Sequence, residues 1–352
     1  MTAPESPRVL LGKTLPELSE LLASLGQPAY RAKQLAQWLY VKNAVRFDDM
    51  TNLPATLRQQ LAAQYSIGRT APLEKLTASD GTAKYLFPAA DGSRFIETAM
   101  IPDGDRKTLC LSTQIGCKRA CTFCATGRQG FAGNLTDGEI LNQYFSCDER
   151  DQITNIVYMG MGEPLDNPEA VFRSIEVFTA DYATAKSPSR ITVSTVGILP
   201  AMQEYLDRFS SHLAVSLHTP RHEERLGMMP VEKVYPIADV IALLRRRKLK
   251  PQQRLTFECT LLAGTNDTPR HARETARLLN GLDCRVNLIP CNPTDRPEAV
   301  PSDRATLEAF QQILKQHGLT TTIRKSKGSD IQAACGMLST LRCVADDQAN
   351  QA

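Results

Sequence analysis

The chain has 352 residues, 42% of them hydrophobic, and a formal net charge of +3. That is enough apolar material for a large core, or for one large domain with a smaller one, and it excludes a wholly disordered chain, while the small charge neither requires nor forbids a nucleic-acid partner. No apolar run of about 18 residues is present, so no membrane span is expected, and 1–25 mixes charge and proline into its apolar residues instead of forming a secretory signal; the expected compartment is the cytoplasm.

Residues 14–66 read as helices. Leu35, Trp38 and Leu39 fall at i, i+3 and i+4, and Pro54 opens a further helix with Leu57 and Leu61 on one face. Residues 1–66 are therefore expected to form a small helical accessory domain. Over 67–105 the pattern changes to a β-extension: Asp80-Gly81 and Asp91-Gly92 are hairpin turn signals beside the short runs Lys84–Phe87 and Arg94–Met100.

From 106 to 343 apolar strands alternate with helical patterns. Strands are expected at Thr108–Thr113, Ile153–Met159, Arg190–Thr195, His212–Leu217, Arg254–Leu261 and Arg285–Ile289. Helices are expected at 136–147, 168–180, 198–208, 236–249, 270–280 and 303–317. Such alternation implies an α/β fold with a parallel sheet and right-handed crossovers. Six units are too few to close an eight-stranded barrel, so the expected architecture is a partial, open (β/α)6 barrel with its chemistry at the C-terminal strand ends. The tail, 344–352, is polar and is expected to fray.

Ten cysteines in a cytoplasmic chain call for metal or redox chemistry, because a reducing compartment disfavours structural disulfides. Cys147, Cys259, Cys284, Cys291 and Cys343 have no partner at metal-ligand spacing and read as core residues. Cys117, Cys121 and Cys124 differ, as three thiolates within eight residues that follow the first strand of the α/β region. A structural zinc site normally has four protein ligands, so zinc here needs a distant fourth. An iron–sulfur cluster held by three thiolates instead leaves one iron open to another molecule. Downstream, Gly160-x-Gly162 could suggest a dinucleotide loop, but Leu165 occupies the place of the third glycine. The run Arg245, Arg246, Arg247, Lys248, Lys250 and Arg254 reads equally as a solvated helix end or as a phosphate-contacting patch. Arg324, Lys325 and Lys327, just before the segment that holds Cys335, are better placed for such phosphate contacts.

Cys117-Lys-Arg-Ala-Cys121-Thr-Phe-Cys124 is the CxxxCxxC signature of the radical S-adenosylmethionine (SAM) superfamily, with the aromatic Phe123 before the last cysteine. Other stretches narrow the likeness: Tyr30-Arg-Ala-Lys-Gln, Met50-Thr-Asn-Leu-Pro, Phe95-Ile-Glu97-Thr, Thr108-Leu-Cys110, Met159-Gly-Met-Gly-Glu-Pro164, Ser216-Leu-His218, Val286-Asn-Leu-Ile-Pro290 with Asn292, and Asp330-Ile-Gln-Ala-Ala-Cys335-Gly336. Over nearly the whole chain the sequence resembles the RlmN/Cfr group of ribosomal-RNA adenine methyltransferases. Pro164 favours the branch that makes 2-methyladenosine over the branch acting at C8 of the same adenine. A short loop after Asn292 departs from the group's pattern.

The resemblance implies a [4Fe–4S] cluster on Cys117, Cys121 and Cys124, and SAM contacts from Gly162, Glu163, Ser194, Ser216, Leu217, His218 and Asn292. It implies a methyl carried on Cys335, a resolving Cys110 that forms a transient disulfide with it, and Glu97 as proton acceptor. It further implies two SAM molecules consumed per methylation. The implied substrates are adenine 2503 of 23S rRNA and adenine 37 of tRNA, docked by the helical unit 1–66. The implied electron donor is flavodoxin with its reductase, and the chain is expected to act as a monomer. The reading from another class is a non-catalytic RNA-binding protein with a structural zinc or an iron–sulfur cluster.

Overall fold

The computed structural model describes residues 8–90, 92, 94–292 and 300–339. Cys343, the polar tail and the short loop after Asn292 lie outside these residues.

The N-terminal unit opens on a short strand, β1 (Arg8–Val9). Thr14 then starts α1 (Leu15–Ser24), donating its backbone N–H to the Glu17 carboxylate at 2.7 Å. Next come α2 (Tyr30–Ala36), prolonged by one wider turn over Gln37–Val41, and α3 (Ala55–Gln64), which buries Leu57 and Leu61 as their spacing predicts. A strand the sequence pattern did not reveal, β2 (Tyr65–Ser66), pairs in parallel with β1 and closes the unit.

The extension consists of β3 (Glu74–Thr77), β4 (Ala83–Pro88) and β5 (Phe95–Asp103). Its antiparallel hydrogen bonding runs on into β6 (Arg106–Cys110), the first barrel strand, so the three strands extend the main sheet. A small hairpin, β7 (Gln114–Gly116) with β8 (Phe131–Asn134), brackets the cysteine segment and the short helix α4 (Ala125–Arg128).

The barrel then continues through α5 (Asp137–Phe145), β9 (Asn155–Tyr158), α6 (Pro168–Thr179), β10 (Ile191–Thr195), α7 (Leu199–Arg208) and β11 (His212–Ser216). It follows with α8 (His222–Met228), α9 (Ile237–Arg246), β12 (Leu255–Leu261), α10 (Pro269–Leu279), β13 (Arg285–Pro290), α11 (Arg304–Gln316) and β14 (Thr320–Ile323). Thr136, Thr268 and Asp303 cap α5, α10 and α11 by accepting backbone N–H groups of the first turn. All six expected strands are present, most of them trimmed by one to three residues at an end.

The sheet has ten strands in the order β14-β13-β12-β11-β10-β9-β6-β5-β4-β3. The run from β6 to β14 is parallel, so six strand–helix units are followed by a seventh parallel strand. The sheet stays open, with β3 and β14 as its edges. Outward residues of the parallel strands, such as Leu213, Val215, Phe257 and Leu288, are buried in a core that also takes in Leu18, Leu35 and Leu57 of the helical unit. The chain after β14 turns back across the inner face. Gly328 donates its N–H to Asp80 at 3.1 Å, and Asp330 accepts the N–H of Ser79 at 2.9 Å. Residues 324–339 thus form a strap from one sheet edge to the turn between β3 and β4 at the other.

Candidate active site

A cavity of about 160 Å³ opens at the C-terminal strand ends, under the strap. Cys117, Cys121, Cys124, Gly162, Glu163, Ser194, Ser216, His218, Asn292 and Cys335 all line it. Leu217 does not; it is fully buried and turns to the helix side. Cys110 and Glu97 lie just off the cavity, buried beneath the strap.

The cysteine segment is a tight loop. Cys117 donates its N–H to Gly130 at 2.7 Å and Thr122 donates to Met228 at 2.9 Å, while Ala120 takes a left-handed φ of 51°. Burial pushes the Cys117 thiol up to about 12 and raises those of Cys121 and Cys124; the three also repel one another's charge. Three half-buried sulfurs in one loop are stable as thiolates only with cationic charge among them. Among the described residues no three His, Cys, Asp or Glu side chains converge as they would on a single ion. Ligands of one tetrahedral zinc lie about 3.8 Å apart, a separation set by zinc–sulfur bonds of about 2.3 Å. A four-iron cluster takes an all-sulfur donor set, and three thiolates leave one of its irons open. The three cysteines fit that group.

The loop Met159–Pro164 faces the cysteines. Gly162 has φ +97°, and a Cβ there would meet the Gln114 side chain at 2.5 Å; glycine is required by this close packing and not by a dinucleotide. Glu163 is buried, and its carboxylate accepts the N–H groups of Leu165 and Val196, each at 2.9 Å. Burial lifts this carboxyl to about 7 in spite of those bonds. Arg119, from within the cysteine motif, forks onto both oxygens of Asp166 and so ties the two loops together.

His218 sits past the end of β11 with φ +59°. Its Nδ1 accepts the Thr260 N–H at 3.0 Å, which leaves the proton on Nε2. Burial, then the charge of Arg225, holds the imidazole neutral, with its pKa lowered to about 3. The ring packs 4.6 Å from that of Phe123 in the cysteine motif.

The strap is fixed at several points. Ala125 donates to the Gly336 carbonyl at 2.8 Å, Thr126 Oγ1 to Leu338 at 2.6 Å, and Asn292 Nδ2 to the Cys335 carbonyl at 2.9 Å. Cys335 itself is exposed. Ala333 packs with Ala99, Cys110 and Val157, and Cys110 is a free thiol that burial, then Cys335, pushes up to about 12. Glu97 accepts the Ser339 N–H at 2.7 Å and pairs with Lys84 at 3.0 Å; burial outweighs these contacts and raises its carboxyl.

Four side chains escaped sequence reasoning or were placed elsewhere by it. Arg225 is fully buried, pairs with Glu232, and donates to the carbonyls of Val196, Ser216 and Leu217 at 2.9–3.2 Å. Glu258 lines the cavity with one buried oxygen that has no hydrogen-bond partner in the structure. Arg324, expected to make phosphate contacts, turns inward instead, 3.9 Å from both Glu258 and the Met159 sulfur. Cys291 is buried, as expected of a core residue, but it also forms cavity wall. Hydropathy could not flag these positions, because a charged residue on an inward strand position looks like one on a solvated face.

The parallel open barrel, its three-cysteine loop and the strand-end residues around one cavity define a radical SAM enzyme. Residues 111–279 match the family model of the radical SAM superfamily, and 9–67 match that of the ribosomal RNA large subunit methyltransferase N-terminal domain. The chain is 47% identical to the probable dual-specificity RNA methyltransferase RlmN of Porphyromonas gingivalis over 347 residues, 99% of this chain and 98% of that one. It is 42% identical to the dual-specificity RNA methyltransferase RlmN of Marinobacter nauticus over 94% of this chain and 92% of that one. A solved radical SAM methyltransferase from Sphaerobacter thermophilus superposes with a TM-score of 0.89 at 42% identity, covering 94% of this chain and 99% of that one. The chain belongs to the RlmN family of radical SAM methyltransferases. That family implies a [4Fe–4S] cluster and SAM. Among the described residues no helix is long and apolar enough to cross a membrane.

Proposed function

We propose that the protein methylates C2 of adenine in RNA, at position 2503 of 23S rRNA and position 37 of tRNA, through a methyl group carried on Cys335. The observation that carries this reading is a single cavity bounded by the three-cysteine loop, by the strand ends of β10 and β11, and by the exposed Cys335 on its strap.

C2 of adenine is an electron-poor carbon and no nucleophile, so direct methyl transfer from a sulfonium fails. Cys117, Cys121 and Cys124 hold the cluster. Backbone around Gly162 and Glu163, with Ser194, Ser216, His218 and Asn292, holds SAM, while Leu217, turned to the helix side, can offer only its backbone. Bound there, the cluster and SAM would supply the one-electron chemistry that removes a hydrogen atom from the methyl carried on sulfur. The Cys335 thiolate earlier accepts that methyl from a first SAM, and its carbon then bonds to C2. Glu97 removes the C2 proton once the strap shifts enough to free it from Ser339. Cys110 attacks the Cys335 sulfur and breaks its bond to the methylene, which takes up a proton and leaves as the methyl group of the base; the unpaired electron left by the addition would pass to the bound cluster, and an external reductant opens the resulting disulfide. The helical unit 1–66 docks the RNA, in which a splayed base is read by stacking.

Cys110→Ala tests this directly. Early steps survive, release fails, and the protein accumulates joined to RNA through Cys335. The second change, Cys335→Ala, removes the adduct. Denaturing gels with and without nuclease will show a shifted, nuclease-sensitive band in the first variant only. Normal turnover by Cys110→Ala without adduct overturns the two-cysteine route, and 8-methyladenosine as sole product of the intact enzyme overturns the target atom.

A further inference from the structure

The inner face of the sheet carries a basic rim a strand's length below the cavity. Side chains alternate along a strand, so Ser216 and His212 share one side of β11, Glu258 and Arg254 one side at β12, Ile289 and Arg285 one side of β13, and Cys110 and Arg106 one side of β6. Ser216, Glu258 and Ile289 line the cavity. The basic residues therefore stand on that same face, four residues or about 13 Å nearer the N-terminal strand ends. Arg190, just before β10, joins them. Arg106, Arg190, Arg254 and Arg285 are exposed.

These groups crowd one another. Burial, and then the charges of Arg324, Arg190 and Arg254, pull Arg106 below its ordinary value against the lone help of Asp103. Burial, then Arg254, Arg285 and Arg106, do the same to His212 and leave it neutral. Among the described residues none of the four arginines makes an ion pair. Arg106 only reaches Thr108 at 3.1 Å and Arg190 only Asn155 at 3.3 Å. Elsewhere the chain pairs its arginines with carboxylates, as at Arg247–Asp207 and Arg304–Glu308. Like charges gathered on the inner face with only Asp103 to offset them suit a polyanion.

We propose that this inner-face rim binds the sugar–phosphate backbone of the substrate RNA beside the adenine that enters the cavity, an inference that rests on the RNA-methyltransferase reading. An acidic redox protein is the alternative occupant of the rim, and the experiment separates the two.

The test uses cluster-loaded holoenzyme and an RNA stem-loop bearing the target adenine, with fluorescence anisotropy over a range of salt. R254Q/R285Q is expected to bind about tenfold more weakly at moderate salt, and its log–log salt slope to shrink by about 1.4, two contacts at ~0.7 each. R254K/R285K should restore most of both, since charge carries the contact, and R304Q on α11 should match the unaltered enzyme. Equal iron content and melting temperature exclude misfolding. If the unaltered enzyme methylates this RNA while R254Q/R285Q keeps its affinity and slope, the rim proposal falls alone. If R254Q/R285Q keeps RNA affinity but loses reduction by flavodoxin, the rim belongs to a redox protein and the proposal falls. If the unaltered enzyme neither binds nor methylates RNA, the underlying reading falls with it.

Discussion

Along β12, Leu255, Phe257, Cys259 and Leu261 turn toward the helices and are buried, while Thr256, Glu258 and Thr260 turn to the inner face. β10 and β11 divide the same way, with Ile191, Val193, Leu213 and Val215 outward and Ser194 and Ser216 inward. The outer face is one continuous apolar core. The inner face has a small apolar cluster where Ala333 of the strap meets Ala99, Cys110 and Val157, and elsewhere mixes polar side chains with a few apolar ones such as Ile289. One strand thus serves both stability and chemistry, with alternate residues assigned to each. The two faces should therefore answer substitution differently.

Arg225 breaks that division, and the largest effect is expected there. It is charged yet buried, and it braces the ends of β10 and β11 through three carbonyls. Arg225→Ala leaves Glu232 buried without its counter-charge and should destabilise the protein by about 3–5 kcal/mol, checked by urea unfolding. A loss under about 1 kcal/mol would show that the brace is dispensable. Leu213→Ala sharpens the comparison from the outer face. It empties a fully buried site and should lower stability by about 2–4 kcal/mol in the same unfolding assay. Ser216→Ala, three residues along the same strand, has the smallest expected effect on stability, within about 0.5 kcal/mol. Its deficit should appear instead as weaker SAM binding by calorimetry, and unchanged SAM affinity would remove Ser216 from the site.

The outer face was readable from sequence because burial leaves an apolar signature. Six strands and their helices stand out as runs of Ile, Val and Leu broken by polar turns, and the open barrel follows. The seventh parallel strand, Thr320–Ile323, was not legible: Thr320 and Thr322 are exposed on the inner side, so no apolar run marks it. The extension looked separate because its hairpins are local, whereas its bonding to β6 links Ala99–Asp103 to Arg106–Cys110 through a turn that shows no strong signal. In the cavity, the cysteine loop and the strand-end serines were found through spacing and family likeness. Arg225 and Glu258 were not, since nothing in one sequence distinguishes a buried charge from a solvated one. The basic run 245–254 divides. Arg245 donates to the carbonyl of Leu278 and Arg247 pairs with Asp207, serving helix ends, while Arg254 stands with Arg106 and His212 on the inner face.

The strap also sets an order of assembly. Its bond between Ser79 and Asp330 joins residues 251 apart, and that between Asp80 and Gly328 joins residues 248 apart. Contacts so distant in sequence close late, because the intervening chain must first be ordered. As the ribosome releases the chain from its N-terminus, the three cysteines of the motif emerge long before Cys335. A nascent chain can therefore form the Cys117–Cys124 segment before the strap that bears Cys335 has been made, and the bonds of Ala125 to Gly336 and of Thr126 to Leu338 close last.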